Sequence, residues 1–495
     1  MPTASPEVPA VTPAARRQPL GPVLTAVFSG TAAWCALGAG VPATFGAHVA
    51  VDEPQYLLSA TSLAEDLDLD IGDELADERW RSYHRAELPE QTELLEDGRR
   101  ISPHDPLLPA YLALPVAVGG WVGAKLALAV VAGALAAVLT WTAVRRLGVG
   151  VGLAVTTVLT FSLAPPLAVY GTQIYPELAG ALAISIGFAA ATGRLCRRDV
   201  AVAGVAISAL PWLSVKYAPA AGALTIALLW RLWTLGHRRQ LVALLGGLTI
   251  SAAVFAVGHL AIYGALTPYA TGDHFGGDQL AVAGTAPNPA GRSRRLIGLL
   301  VDRDFGLVAW QPSWLLGVVG LGTLARRRPT WWPAVALPLA AGWLTATFVA
   351  LTMHGFWWPG RQTVVVLPLL VLTVAWAAGE LGRLAPTLLK VGLAWGALTF
   401  GWLVADGTAG RTTWVVAFEE STNPLVRTIR QALPDLRSLG TVDQALFLAW
   451  IVVVVALVVI GWGGARGRSH RQPGSDGTAL LSPPAPTHDP GRDTT

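Results

Sequence analysis

Val51-Asp52-Glu53-Pro54-Gln55-Tyr56-Leu57-Leu58 places two adjacent carboxylates where a long apolar run has just ended and a polar one begins. Pro54 suits the first turn of a helix, where its missing N–H costs nothing, so Asp52 and Glu53 are expected at a helix N-terminus. The partial positive charge of that end helps to keep a carboxylate ionised. Beyond it, Leu57, Leu58, Thr61, Leu63 and Ala64 make one apolar side while Gln55, Ser59, Ser62 and Glu65 stay polar, the pattern of a short helix lying in a membrane interface. Read alone, the pair is equally well a helix cap without chemistry.

On its N-terminal side the stretch follows an apolar run, residues 22–44, long for a signal peptide and without a small-x-small cleavage site, so it is read as an uncleaved first span. On its C-terminal side runs a polar loop, residues 48–105, which holds half of the chain's 32 acidic residues. With 495 residues, 53% hydrophobic, 14% charged and a mean hydropathy of +0.50, the chain reads as an all-α polytopic membrane protein rather than a soluble domain. A net charge of +3 and a pI near 9.0 do not imply nucleic-acid binding, because the arginines are scattered over short loops between apolar runs. Only Lys125, Lys216 and Lys390 are lysines among 35 basic residues, which together with the wealth of Ala, Gly and Pro points to a bacterial, high-GC source. Cys35 and Cys196 suggest neither a disulfide nor a metal site.

After the acidic loop, Ser102-Pro103-His104-Asp105-Pro106 returns the chain to the bilayer. Leu107–Val118 is apolar but too short for a core that needs roughly 20 helical residues, and is read as half-embedded or re-entrant. Further spans are expected at residues 122–144, 149–169, 176–192, 200–213, 217–235, 241–263, 305–324, 331–351, 363–378, 388–405 and 444–462, about twelve in all. Arg145-Arg146, Arg194 with Arg197-Arg198, Arg238-Arg239, Arg326-Arg327-Arg328, Arg383 with Lys390, and Arg466, Arg468 and Arg471 then fall on the side of the N-terminus. By the positive-inside rule that side is cytoplasmic. Residues 1–21 and 464–495 read as disordered cytoplasmic tails flanking a membrane domain at residues 22–463, with the long loop outside the cell.

Every residue of chemical interest lies on the outer side. Lys216, in Pro211-Trp212-Leu213-Ser214-Val215-Lys216-Tyr217, breaks the charge rule and is explained by an anionic ligand or by snorkelling. Arg361, in Trp357-Trp358-Pro359-Gly360-Arg361, opens a span beside two tryptophans and is placed to meet a phosphate, although an interfacial aromatic belt accounts for Trp357 and Trp358 by themselves. Arg303 is flanked by Asp302 and Asp304. Glu177, in Tyr175-Pro176-Glu177, complements a helix dipole or joins the site. His104-Asp105 forms a turn or a second acid site facing Asp52.

The order of Asp52-Glu53-Pro54, His104-Asp105-Pro106-Leu107-Leu108, Tyr175-Pro176-Glu177, Pro211-Trp212-Leu213-Ser214-Val215-Lys216-Tyr217, Asp302-Arg303-Asp304-Phe305-Gly306-Leu307 and Gly360-Arg361 resembles the GT-C superfamily of membrane glycosyltransferases. The resemblance is to the bacterial branch related to protein O-mannosyltransferases and lipid A aminoarabinose transferases. It implies transfer of a sugar from a polyprenyl-phosphate donor to a glycan, lipid or protein hydroxyl outside the plasma membrane, with inversion. In that scheme Asp52 is the base, and Glu53 orients it or helps to bind a divalent metal, whose need stays open. Lys216 and Arg361, together with Arg303, hold the donor phosphate. His104, Asp105, Tyr175, Glu177, Trp357 and Trp358 form the expected substrate-binding set, the tryptophans stacking on the sugar or lining the lipid's path. In some relatives the two acids are spaced differently, whereas Glu53 here follows Asp52 directly.

Two other classes compete. A twelve-span transporter or flippase is expected to show two related halves and a compact first loop, and this chain has neither. A scaffold that has kept the glycosyltransferase fold is excluded only by activity. Nothing in the sequence suggests a Walker loop, a dinucleotide fingerprint or a Ser-His-Asp hydrolase.

Overall fold

The computed structural model of the chain describes residues 19–88, 91–268, 288–350, 353–380, 382, 384–415 and 421–464. The two expected tails fall almost wholly outside these residues, as does Arg383. The described chain is helical, apart from one two-stranded antiparallel ribbon that pairs Glu93–Leu94 with Arg100–Ile101 inside the first loop. Every apolar stretch read as a span carries helix.

Among the described residues six helices are long and apolar enough to cross a membrane: Gly21–Gly40, Leu107–Arg145, Arg238–Tyr263, Trp332–Val349, Leu384–Thr408 and Thr441–Gly464. Val151–Ser162, Glu177–Ala191 and Leu367–Gly379 are apolar but shorter. Glu177–Ala191, with 15 residues, reaches about 22 Å against a hydrocarbon core of about 30 Å. The molecule is a membrane protein in which full-length spans surround shorter buried helices. The helix Leu367–Glu380 is buried on nearly every side, whereas Val254, Val257, Val452 and Val455 on two of the long helices point outward. Apolar surface of that extent is what a lipid-facing helix presents.

The first ten helices and the segments joining them carry every part of the site except the segment around Arg361: α1 (Gly21–Ala36), α2 (Glu53–Glu65), α3 (Gly72–Ala76), α4 (Leu107–Arg145), α5 (Val151–Ser162), α6 (Leu167–Tyr170), α7 (Glu177–Ala191), α8 (Arg197–Leu213), α9 (Ala218–Thr234) and α10 (Arg238–Tyr263). Both α1 and α2 pack on α4, and α4 packs on α7. The half-embedded reading of residues 107–118 has a counterpart in the shape of α4. At Gly120 the backbone takes φ 56° and ψ −146°, open to glycine alone, and the chain folds back on itself. Tyr111 Oη donates to the carbonyl of Ala127 at 3.1 Å, although 16 residues of straight helix would separate them by about 24 Å.

One local expectation differs from the structure. The polar side of α2 was read as open to the interface, yet Gln55, Ser59 and Ser62 are buried along with Tyr56, Leu57 and Leu58. The reason is that the loop folds over the helix: Ser62 Oγ donates to the carbonyls of Asp68 (3.1 Å) and Asp70 (2.9 Å), and His48 N–H to Tyr83 at 2.8 Å. A helix covered by its own loop can bury a polar side where one lying on a membrane cannot.

Candidate active site

Four chain turns, each at a helix entrance, bring charged side chains to one place. Asp52 is the N-cap residue of α2, although its carboxylate makes no capping bond. It is instead turned to Arg361, whose Nη2 donates to Asp52 Oδ2 at 2.6 Å across 309 residues of sequence. Arg361 Nε donates to Glu177 Oε1 at 2.9 Å, and Lys216 Nζ donates to the same oxygen at 2.7 Å. Glu177 is the first residue of α7, and Lys216 sits in the one-turn 3-10 helix Val215–Tyr217 between α8 and α9. Arg361 opens another such turn, Arg361–Thr363, just after Gly360 at φ +85°, where an added Cβ would meet Leu307 and Pro166. The result is a chain of alternating charge, Asp52, Arg361, Glu177, Lys216. Glu177 is fully buried, whereas the side chains of Asp52 and Lys216 keep 19% and 26% exposure, so the network is open at both ends.

His104 closes over Asp52 with Nε2 3.8 Å from Oδ2, its ring held by Ser102 Oγ at Nδ1 (2.8 Å) and packed 4.4 Å from the Tyr56 ring. Its neighbour Asp105 serves the other end: Oδ2 accepts the backbone N–H of Val215 at 2.9 Å, and Oδ1 lies 3.0 Å from His259 Nε2. The second His259 nitrogen faces the carbonyl of Phe255 at 3.0 Å. Arg361 lies over the Tyr175 ring at 4.0 Å and beside Trp357 at 5.2 Å, cation–π contacts that fix the guanidinium plane.

Glu53 has a different environment. Its Oε2 accepts the N–H of Ala50 at 3.0 Å and its Oε1 that of Ile174 at 2.7 Å, so the carboxylate staples the first loop to the turn before α7. Burial pushes its carboxyl up, and nearby Lys125 and these two N–H groups offset only part of that. Burial acts on Asp52 in the same sense, but Arg361 and His104 outweigh it and hold the carboxyl well below the usual carboxylate range. Burial also lowers Lys216, against the opposing pull of Glu177. Immediately before Asp52, Val51 takes φ 60°, a left-handed conformation that disfavours a β-branched side chain by about 1–3 kcal/mol.

Of the residues singled out in the sequence, the structure brings together Asp52, His104, Tyr175, Glu177, Lys216, Trp357 and Arg361, with Asp105 bracing the Lys216 turn. Arg303 stands in another cluster, where Nη2 donates to Asp443 at 2.9 Å and Nε to the carbonyl of Leu433 at 3.2 Å. Trp358 is completely buried among Trp310 and Trp414, with ring centroids 4.7 and 5.6 Å away. The flanking aspartates of Arg303 are also engaged elsewhere. Asp302 accepts from the N–H of Phe305 and Leu436, and Asp304 pairs with Arg430.

Other contributors were missed. Lys125, read as part of a span, is buried and donates to the carbonyls of His48 (2.8 Å) and Ala39 (3.3 Å), which ties α4 to the loop entering Asp52. The amides of Gln55 and Gln173, the Tyr175 hydroxyl and Glu177 Oε2 are buried without a hydrogen-bond partner among the described residues. Buried polar groups of that kind are open to a further partner such as water or a ligand. The only available signal was their position, three residues after Asp52 and one before Ile174.

No family model and no curated protein matches this sequence. Among solved structures the chain is similar to ArnT from Cupriavidus metallidurans bound to undecaprenyl phosphate, with 14% identity over 90% of this chain and 78% of that one at a TM-score of 0.45. It is also similar to apo ArnT from the same organism, with 16% identity over 90% of this chain and 77% of that one at a TM-score of 0.38.

Proposed function

We propose that this protein is a membrane glycosyltransferase that moves a sugar from a polyprenyl-phosphate donor to an acceptor hydroxyl at the extracytoplasmic face, with inversion at the anomeric carbon. The observation that carries the reading is the Asp52–Arg361–Glu177–Lys216 network, because the reaction needs these groups together. One carboxylate must take the proton of the attacking hydroxyl while cations steady the departing phosphate on the far side of the sugar. Asp52 is the base. Arg361 and Lys216 receive the phosphate, and Glu177 keeps both cations in place before the donor arrives.

The electrostatics supply an order of events. Bound to Arg361, Asp52 is ionised but weakly basic. When the donor phosphate draws the guanidinium to itself, Asp52 loses its strongest partner and its basicity rises toward the useful range. Acceptor activation thus follows donor binding. The neutral amides of Gln55 and Gln173 and the Tyr175 hydroxyl suit sugar hydroxyls, and Trp357 offers an aromatic edge beside them.

A divalent ion fits these residues poorly. Both oxygens of Glu53 already accept backbone N–H groups, and Asp52 is engaged by Arg361. No step is therefore routed through a metal. Asp52→Asn tests the reading, using membranes supplied with radiolabelled polyprenyl-phosphate mannose, arabinose or glucose. Transfer should fall by about 10²–10⁴-fold, the range typical of a lost general base, while donor binding persists. Transfer at the normal rate by this variant, or no transfer by the parent chain from any such donor, overturns the assignment.

A further inference from the structure

Helices α8 and α10 run side by side, with Gly204 facing Leu244 and the Trp212 ring 5.2 Å from Phe255. Between them lies a cavity of about 940 Å³. Its long wall is apolar, built from small and branched residues such as Ala201, Val205 and Leu248. Its charged lining gathers at one end, where Arg197 and Arg239 enter it from the first residues of the two helices, with Gln240 next to Arg239, and Ser208 is a lone hydroxyl farther along. Both arginines are exposed, and among the described residues neither has an ion pair, hydrogen bond or ring contact. The nearest acid in sequence, Asp199, is turned the other way, to Arg146 at 3.9 Å. Trp212 closes the opposite end.

We infer that this cavity is a binding site for an anionic phospholipid, with its phosphate between Arg197 and Arg239 and an acyl chain along the groove toward Trp212. Charge complementarity selects the head: two guanidinium groups opening on one apolar slot leave like charges together unless an anion joins them, and planar Arg matches phosphate oxygens two at a time. Length and polarity select the tail. From Arg197 to Trp212 the helix rises about 22 Å, and between those two residues Ser208 is the one polar side chain on an otherwise apolar wall. The reacting donor is a different ligand, because its phosphate belongs at Lys216 and Arg361, beyond Trp212 at the other end of α8. The site borders the active centre all the same. Trp212 packs 5.0 Å from the His259 ring, and His259 meets Asp105, which holds the backbone next to Lys216.

The test uses the full chain, delipidated in detergent, with binding followed by native mass spectrometry and by the thermal unfolding midpoint. Phosphatidylglycerol should bind at least tenfold more tightly than phosphatidylcholine, and inorganic phosphate at the same concentration should shift nothing. Arg197→Gln with Arg239→Gln should abolish that preference. Gly247→Phe should weaken phosphatidylglycerol binding with both arginines intact; a Cβ there meets nothing within 4 Å, so the helix accommodates the change. Lipid-free unfolding of both variants should match the parent chain. Equal binding of the two lipids, a preference retained by the double variant, or an equal response to inorganic phosphate each overturns the proposal.

Discussion

Asp105 Oδ2 accepts the backbone N–H of Val215 at 2.9 Å, so the carboxylate next to His104 fixes the residue next to Lys216. Two adjacent residues thereby brace opposite ends of the charged network, since His104 stands against Asp52. Asp105→Ala should leave the Val215 N–H and the buried His259 without their acceptor, costing about 1–3 kcal/mol. On the proposed function the loosened Lys216 turn should also raise donor KM, with kcat changed little. Asp105→Asn keeps one acceptor oxygen and should recover most of the loss. Equal defects in both variants would show that the Val215 bond is not what matters.

Arg361 stands between the buried carboxylate of Glu177 and the partly exposed one of Asp52, and removing it leaves Glu177 to Lys216 and Asp52 to His104. Arg361→Met should destabilise the protein by about 1–3 kcal/mol, because each carboxylate loses a charged donor but keeps a second partner. Arg361→Lys restores the charge but not the fork that reaches Asp52 and Glu177 together, so an intermediate loss is expected. Denaturant titration in detergent separates the three proteins, and a Met variant as stable as the parent would contradict the ion-pair account.

Glu53→Gln replaces one of two accepting oxygens by an NH₂ that faces a backbone N–H. Either Ala50 or Ile174 then loses its acceptor, and about 1–3 kcal/mol of stability should go with it. Asp52→Asn, at a partly exposed end of the network, should instead affect turnover more than folding. Comparing unfolding midpoints with transfer rates for the pair distinguishes the staple from the base.

The depressed carboxyl of Asp52 gives a pH signature with a definite sign. Its folded state binds its proton less readily than the unfolded chain, so the pairing contributes fully above the ordinary Asp value of about 3.9 and fades only as the pH falls toward the folded value. The stability gap between parent and Asp52→Asn should therefore be flat from neutral pH down to that point, then close. For transfer, the donor-bound state frees Asp52 from Arg361, so the acid limb of kcat should lie at higher pH than that of kcat/KM. Coincident limbs would rule out release of Arg361 by the donor.

Legibility in the sequence followed the range of the forces involved. Hydropathy marked the long apolar helices because lipid and a dry core both demand apolar side chains with satisfied backbone, and it passed over short loop helices such as Gly72–Ala76 and Pro424–Arg430. Asp52, Lys216 and Arg361 stood out as charges in places where membrane chains rarely keep them. Two other residues took places that local pattern does not specify. Glu177, expected to complement a helix dipole or to join the substrate-binding set, is the common acceptor of two cations, and Gln55, expected on the polar side of an interfacial helix, is buried.

What the sequence determined by itself, then, was a membrane protein of apolar helices with a long acidic first loop and a short roster of polar residues out of place. Only the tertiary structure decided which of them meet: Asp52 with Arg361, Glu177 with Lys216, Arg303 instead with Asp443, Trp358 with other tryptophans. The physical reason is that periodicity and charge bias act over a few helical turns, whereas a 2.6 Å ion pair across 309 residues depends on how separate helix ends are packed, down to a glycine at Gly360 and the fold-back at Gly120.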